Sequence, residues 1–312
     1  MKLSVVIPAF NVSDKISTAL DSIFFADLES YPGWELEVIV VDDGSKDSDL
    51  LIDLLKEYPD VSYTRHDKNR GMCGARNTGI KISNGDYVTL LDADDEYVPG
   101  WFVDFVKIVN EWPQDIRVCL SPCINDNGEL TCKIKGYRGY ITPEDMVMER
   151  YSGEYNPIFL GQYIRDIMYV DIGTRKSCGL LSYLRMIRHG PFWITDRVQR
   201  IYHTGVSGSV TKGWTRPEKT RETYICYKMV LEEHGDFIKR ISEGHYRYMR
   251  YKLYIYGMLS GNKGVLWDCI KDFSWGSFRY WLVTCFLIIA GPRFSSWILQ
   301  TAKRYRLLRQ YG

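Results

Sequence analysis

Over the first hundred residues, short continuous apolar runs alternate with stretches of helical periodicity, and this alternation restricts the fold more than any other feature. Residues 3–7 form an apolar, β-branched run stopped by Pro8. Val12, Ile16, Ala19, Leu20, Ile23 and Phe24 then recur at helical spacing, with Asn11 or Ser13 placed to cap the helix. The same reading gives strands at 35–41, 61–65 and 87–91 and helices at 50–58 and 74–82. Strands that are apolar throughout, rather than alternating, are buried on both faces. The pattern therefore predicts an α/β fold, a mostly parallel, Rossmann-like sheet covered by helices.

The second half is less regular. Residues 121–141, rich in Gly, Asn, Lys and Tyr, read as loops or a hairpin, and helical patterns return at 143–151 and 180–189. From Pro217 the chain reads as mainly helical, with Gly257, Gly261 and Gly264 as breaks. This divides the chain into a first half-domain at 1–120, a second half of the same domain at 121–216, and a helical C-terminal region at 217–312.

In open parallel sheets ligands bind beyond the carboxyl ends of the strands. Three polar clusters lie there: Pro8 to Asn11, Asp42 to Ser45, and Asp92-Ala93-Asp94-Asp95. They are far apart in sequence, yet a parallel sheet brings them to one edge. Three carboxylates within four positions repel one another, and a divalent cation such as Mg²⁺ or Mn²⁺ relieves that by taking carboxylate and phosphate oxygens together. The competing reading is a solvated acidic turn with Asp capping a helix. Asp42 and Asp43 suit either recognition of a nucleoside or simple turn chemistry. Asn69-Arg70-Gly71 and Gly74-Ala75-Arg76 form a basic, glycine-punctuated helix entry suited to an anionic ligand.

A formal net charge of +1 gives no basic excess, so nucleic acid is not an expected partner. The eight cysteines include no CxxC pair, and buried, reduced thiols are the expectation. The apolar run at the start is too short for a signal peptide, which places the chain in the cytoplasm in this reading, at the inner face of a membrane if its C-terminus docks there.

Four ordered segments, SVVIPAFN at 4–11, VDDGSKD at 41–47, NRGMCGARNTG at 69–79 and GDYVTLLDADD at 85–95, together resemble the family 2 glycosyltransferases, inverting enzymes of the GT-A fold. The resemblance covers about the first third of the chain. It implies transfer of a sugar, hexosyl or N-acetylhexosaminyl, from a nucleotide-diphosphate donor, with UDP favoured, to an acceptor hydroxyl. Pro8, Asn11 and Asp42 would flank the nucleoside, Arg76 would approach the donor, Asp92 the ribose or metal, and Asp94 the Mn²⁺ or Mg²⁺ itself. A glycan or lipid-linked acceptor in surface polysaccharide or glycolipid synthesis is the implied partner.

The sequence also departs from the family pattern. Where a Glu-Asp base pair usually precedes a helix like that at 181–187, this chain has Cys178-Gly179. Asp171, in the segment YVDIGTR, is the nearest carboxylate and the expected catalytic base, with Asp166 and Asp196 behind it. The segment RIYHTGVS at 200–207 resembles one that closes over the donor, and His203 is the candidate second metal ligand or a contact to the diphosphate, the competing reading being a hydrogen-bonded structural histidine. Trp101 and Trp214 either fill a core or stack on a sugar. The missing base pair leaves open a second reading, a catalytically silent donor-binding or scaffold homologue. Finally, residues 280–290 are almost wholly apolar but too few to span a bilayer. With the aromatic and basic residues after them they suit either a peripheral membrane contact through 280–309 or a core helix with a basic tail.

Overall fold

The computed structural model describes residues 1–174, 179–203, 217–262, 264–275 and 278–304. The chain forms two compact units, Met1–Ser207 and Gly208–Gly312. In the first, β1 (Lys2–Ala9), α1 (Ile16–Phe24), β2 (Glu35–Asp42), α2 (Ser48–Leu55), β3 (Val61–Arg65), α3 (Gly71–Ile82) and β4 (Tyr87–Leu90) build the expected alternation. There follow β5 (Glu96–Tyr97), α4 (Trp101–Asn110), β6 (Val118–Asn125), β7 (Gly139–Ile141) and α5 (Pro143–Val147). The unit continues with β8 (Tyr155–Leu160), α6 (Gly161–Ile167), α7 (Gly179–Ile187), β9 (Phe192–Ile194) and β10 (Arg200–Tyr202).

The sheet runs β3-β2-β1-β4-β8-β6-β10-β5, with β9 pairing β6 and β7. Strands β3, β2, β1 and β4 are parallel, while β8 enters antiparallel between β4 and β6. The continuous apolar runs are explained by burial on both faces. Leu3, Val5 and Ile7 of β1 join the core formed with α1 and α4, and Val6 between them joins the core formed with α3, α6 and α7. Trp101, one of the two sugar-stacking candidates, is buried in the first core and stacks on Tyr97. Trp214 lies outside the described residues.

Two expectations about helix ends need correction. Asn11 does not cap α1: it adopts a left-handed φ of 53° and accepts the Lys46 N–H on its side chain at 2.8 Å, so α1 begins only at Ile16. Gly257 does not break a helix, since it lies inside α9 (Glu243–Leu259). A Cβ there would come within 2.5 Å of Val265 Cγ1, so glycine serves close packing. The break comes at Ser242 instead, whose hydroxyl caps α9 by accepting the His245 N–H, ending α8 (Pro217–Ile241). Gly261, at φ +89°, and Gly264 do separate α9 from α10 (Val265–Lys271), and α11 (Phe278–Ala290) and α12 (Pro292–Arg304) complete the second unit. Among the described residues no helix is long and apolar enough to cross a membrane. Cys178 apart, which lies outside those residues, the cysteines are free thiols, all buried except Cys226.

Candidate active site

Sheet register brings the predicted clusters together. Ala9 at the end of β1 pairs with Asp42 at the end of β2, and Val6 pairs with Leu90 two residues before Asp92. The carboxyl ends of three adjacent strands therefore carry Pro8 to Asn11, Asp42 to Ser45 and Asp92 to Asp95.

Asp42 is fully buried. One oxygen accepts the Ser45 N–H at 2.8 Å, and the other accepts the hydroxyls of Ser48 at 2.6 Å and Tyr63 at 2.9 Å. Burial opposes its charge, but these hydrogen bonds hold its carboxyl below the usual carboxylate range. Asn11 ties the β1 end to the same loop, its N–H donating to Ser45 Oγ at 2.9 Å. Asp43 reaches the other way and accepts the backbone N–H groups of Arg70 and Gly71, each at 2.8 Å. Asp43 thus fixes the entry to α3, and Gly71 turns there with φ +83°. A carboxylate reserved for loop architecture was not separable from Asp42 by sequence.

Within α3, Arg76 donates to Asp92 Oδ1 at 2.8 Å and lies over the Tyr169 ring. Its Nε is buried with no hydrogen-bond partner among the described residues. Asn77 grips the loop after α6 on both sides, donating to the Tyr169 carbonyl and accepting the Tyr169 N–H, each at 2.8 Å. That grip brings Asp171 against the start of α3. Its Oδ1 accepts the Gly173 N–H at 2.9 Å and its Oδ2 lies 3.9 Å from Arg70.

The residue that sequence reasoning missed is Arg200. It occupies β10 beside Cys123, is almost wholly buried, and places Nη1 3.4 Å from Asp92 Oδ2 and 3.3 Å from Asp95 Oδ2. Its only signal in sequence was its position at the head of the RIYHTGVS segment. Asp92 is therefore held from both sides: burial would raise its pKa, but Arg76 and Arg200 keep it low. Asp94 differs. Burial and the charge of Asp92 push its pKa up, and its carboxylate has no hydrogen-bond or ion-pair partner on another of the described residues. Asp95, within ion-pair distance of Arg200 but out of line for a hydrogen bond through Oδ2, is pushed up to about 7, chiefly by burial.

His203 was expected as a second metal ligand. Its backbone N–H instead donates to Asp95 Oδ1 at 3.0 Å, and its ring lies between Asp126 and Glu96, with Nε2 3.1 Å from the Glu96 carboxylate. Burial works against its charge, but the two carboxylates raise its pKa. With both ring nitrogens facing carboxylates, a metal role for His203 would require one of these contacts to be given up. Among the described residues no group of three or more His, Cys, Asp or Glu side chains is arranged to hold a metal. The donor set does fit a hard cation that keeps most of its coordination for substrate phosphates. Asp94 is unpaired, Asp92 stands two residues away, and one or two carboxylates suffice for such a site.

Residues 4–164 match the sequence model for glycosyl transferase family 2, 161 of the 312 residues. An uncharacterized glycosyltransferase, YibD, of Escherichia coli K12 is 31% identical over 176 residues, which are 54% of this chain and 49% of that protein. The chain thus spans about half the length of that relative. The GalNAc(5)-diNAcBac-PP-undecaprenol beta-1,3-glucosyltransferase of Campylobacter jejuni is 25% identical over 287 residues, 86% of this chain and 87% of that one. Among solved structures, S. aureus TarS 1-349 in complex with UDP-GlcNAc superposes with a TM-score of 0.60 at 15% identity, covering 91% of this chain and 79% of that one. That likeness bears on the fold, which is GT-A-like: a mostly parallel α/β sheet, here followed by a helical C-terminal unit. With strand order, clustered strand ends and family match in agreement, the chain belongs to glycosyl transferase family 2.

Proposed function

We propose that this protein is an inverting glycosyltransferase that moves a sugar from a nucleotide-diphosphate donor, UDP favoured, to an acceptor hydroxyl. The observation that carries the reading is the Asp92 to Asp95 turn, where Asp94 has no ion-pair partner among the described residues and Asp92 is clamped by the partly buried Arg76 and the buried Arg200. The UDP-GlcNAc bound in the TarS structure and the lipid-linked name of the Campylobacter relative support a nucleotide-sugar donor and a lipid-linked or glycan acceptor in surface polysaccharide synthesis. Mannosyltransferase PcManGT from Pyrobaculum calidifontis, described in complex with GDP-Man and Mn2+, keeps GDP in view as an alternative carrier.

Mn²⁺ or Mg²⁺ held by Asp94, with Asp92 beside it, would neutralise charge on the leaving diphosphate. Pro8, Asn11 and Asp42 form the nucleoside end, Asp42 by holding the loop in shape. Arg76, partly exposed beside Asp92, would place its positive charge near the diphosphate. The acceptor oxygen attacks the anomeric carbon from the face opposite the leaving group, the carbon–oxygen bond to the diphosphate breaks, and Asp171 takes the acceptor proton. A lipid-linked acceptor at the cytoplasmic face of a membrane would bring residues 280–309 to that surface. The helix-entry position Cys178-Gly179, with no carboxylate, favours the second reading, a donor-binding homologue without turnover.

Nucleotide release from UDP-, GDP- and dTDP-sugars, with and without Mn²⁺, tests the proposal on wild type and Asp94→Ala. Metal-dependent release lost in Asp94→Ala is expected. Donor binding without release, across lipid-linked and simple acceptors, would establish the silent homologue instead.

A further inference from the structure

Eleven of the twenty exposed large apolar side chains among the described residues fall between Trp267 and Trp297. On α11 they form one stripe at helical spacing, Phe278, Leu282, Phe286 and Ile289. Cys285, Leu287 and Ile288 of the same helix are buried in the core of the second unit. The helix is thus apolar all round yet covered on one side only. Trp267 of α10, Trp275 in the segment between α10 and α11, and Trp297 of α12 add exposed indoles, at 67%, 81% and 62%. Monomeric proteins rarely leave so concentrated an apolar surface to water.

Charge selects the occupant. From residue 273 to the end the sequence has no Asp or Glu, whereas Arg279, Arg293, Lys303, Arg304, Arg306 and Arg309 are basic. Asp272, just before, is ion-paired with Arg250 at 2.6 Å. Asp268 of α10 is an exposed acid beside Trp267, but the exposed Trp and Phe together with the basic excess from residue 273 onward match the interface of an anionic bilayer, where indoles sit at headgroup depth and cations meet lipid phosphates. A protein partner or second copy would not need this one-sided charge.

We infer that the second unit is a monotopic membrane seat: the α11 stripe, with Trp267, Trp275 and Trp297, lies in the headgroup layer of a bilayer rich in anionic phospholipid. The seat is wider than the 280–309 segment singled out by sequence, because it begins at α10. It rests on the surface of the second unit and not on the transfer chemistry, so either can fail alone.

The full chain is to be floated with phosphatidylglycerol–phosphatidylcholine vesicles and with phosphatidylcholine vesicles. Binding to the anionic vesicles should be stronger by about tenfold or more and weaken as salt is raised. Brominated lipid should quench the tryptophan fluorescence of the bound protein. The triple variant Leu282→Ser/Phe286→Ser/Ile289→Ser, at exposed positions, should keep its far-UV spectrum and nucleotide release in solution yet lose flotation. Absence of flotation by wild type overturns the inference. So does equal binding to both vesicle types, or a wild-type dimer without lipid that the triple variant converts to monomer; the last would assign the face to a second copy. If the triple variant misfolds, bromolipid quenching of wild type decides.

Discussion

Among the described residues, replacing Arg200 by methionine removes the only cation within ion-pair distance of Asp95 and one of two beside Asp92. The Arg200 side chain is 5% exposed and that of Asp95 1%, so water cannot replace the lost guanidinium. Breaking a buried pair on one side costs about 3–5 kcal/mol, because a buried charge is left uncompensated. At about 2–4 °C per kcal/mol for a unit of this size, the transition temperature should fall by roughly 6–20 °C.

The loss should depend on pH with a definite sign. Asp95 already titrates near 7 in the fold against 3.8 for the unfolded chain, so its contribution is present below 3.8 and lost as pH rises through about 7. Without Arg200 the folded value rises further. The gap between variant and wild type should therefore be widest in mildly alkaline buffer and narrow as pH falls, since protonation removes the orphaned charge. Urea melts of both proteins across that range measure it, and Arg200→Met/Asp95→Asn should recover about half the loss or more. A loss under about 1 kcal/mol, independent of pH and not rescued by Asp95→Asn, would refute a buried charge clamp at this turn.

Asp42→Asn should cost about 2–3 kcal/mol at neutral pH by weakening three buried hydrogen bonds to a charged acceptor. Because the folded pKa of Asp42 lies below 3.8, that cost should vanish as pH falls through the folded value, as acid-titrated melts would reveal. Gly79→Ala should destabilise by about 1–3 kcal/mol, since its Cβ would lie 2.2 Å from Val6 Cγ1 where α3 packs on β1. Asp171→Asn should lower kcat by about 10²–10⁴ with donor KM unchanged if Asp171 takes the acceptor proton. A raised donor KM with kcat intact would instead make it a group that positions Arg70 and the start of α3.

The parallel half of the sheet was legible because both periodicities were strong and each strand ended at a turn cluster. β3 was read to the residue, and β1, β2 and β4 to within two. The entry of β8 between β4 and β6 was not legible. Its sequence, Tyr155 to Leu160, contains Pro157 and follows a loop-like stretch, and only long-range pairing makes it a central strand. The site shows the same division. Residue types at strand ends marked Asp42, Asp92 and Asp94, but which carboxylate is spent on structure depends on partners far away in sequence. Asp43 holds Arg70 and Gly71, and Arg200 arrives more than a hundred residues after Asp92. The surroundings of His203 were illegible for a related reason, since its ring faces Asp126, a loop residue with no motif around it.

The spacing of the acidic turn itself explains how three neighbouring carboxylates reach three different states. Ala93 and Asp95 point into the protein and are buried, whereas Asp92 and Asp94 are partly open. The chain closes here in a turn, the Asp95 N–H donating to the Asp92 carbonyl at 3.0 Å, which leaves Asp92 and Asp94 partly open and draws Asp95 inside. The inner one, Asp95, meets Arg200 and the His203 N–H and fixes the turn. Of the outer two, Asp92 is claimed by Arg76 and Arg200, and Asp94 is left over. Burial draws Asp95 toward its neutral form, Arg76 and Arg200 are engaged with Asp92, and Lys15 and Arg200 act on Asp94 without pairing with it, so Asp94 remains the carboxylate left to an incoming group. Adding a diphosphate there would increase the repulsion unless a divalent cation came with it, so under the proposed function donor and metal should bind in a mutually dependent way. Calorimetry should find donor affinity raised by Mn²⁺ in wild type and indifferent to it in Asp94→Ala; equal donor affinity with and without Mn²⁺ in wild type would break the argument.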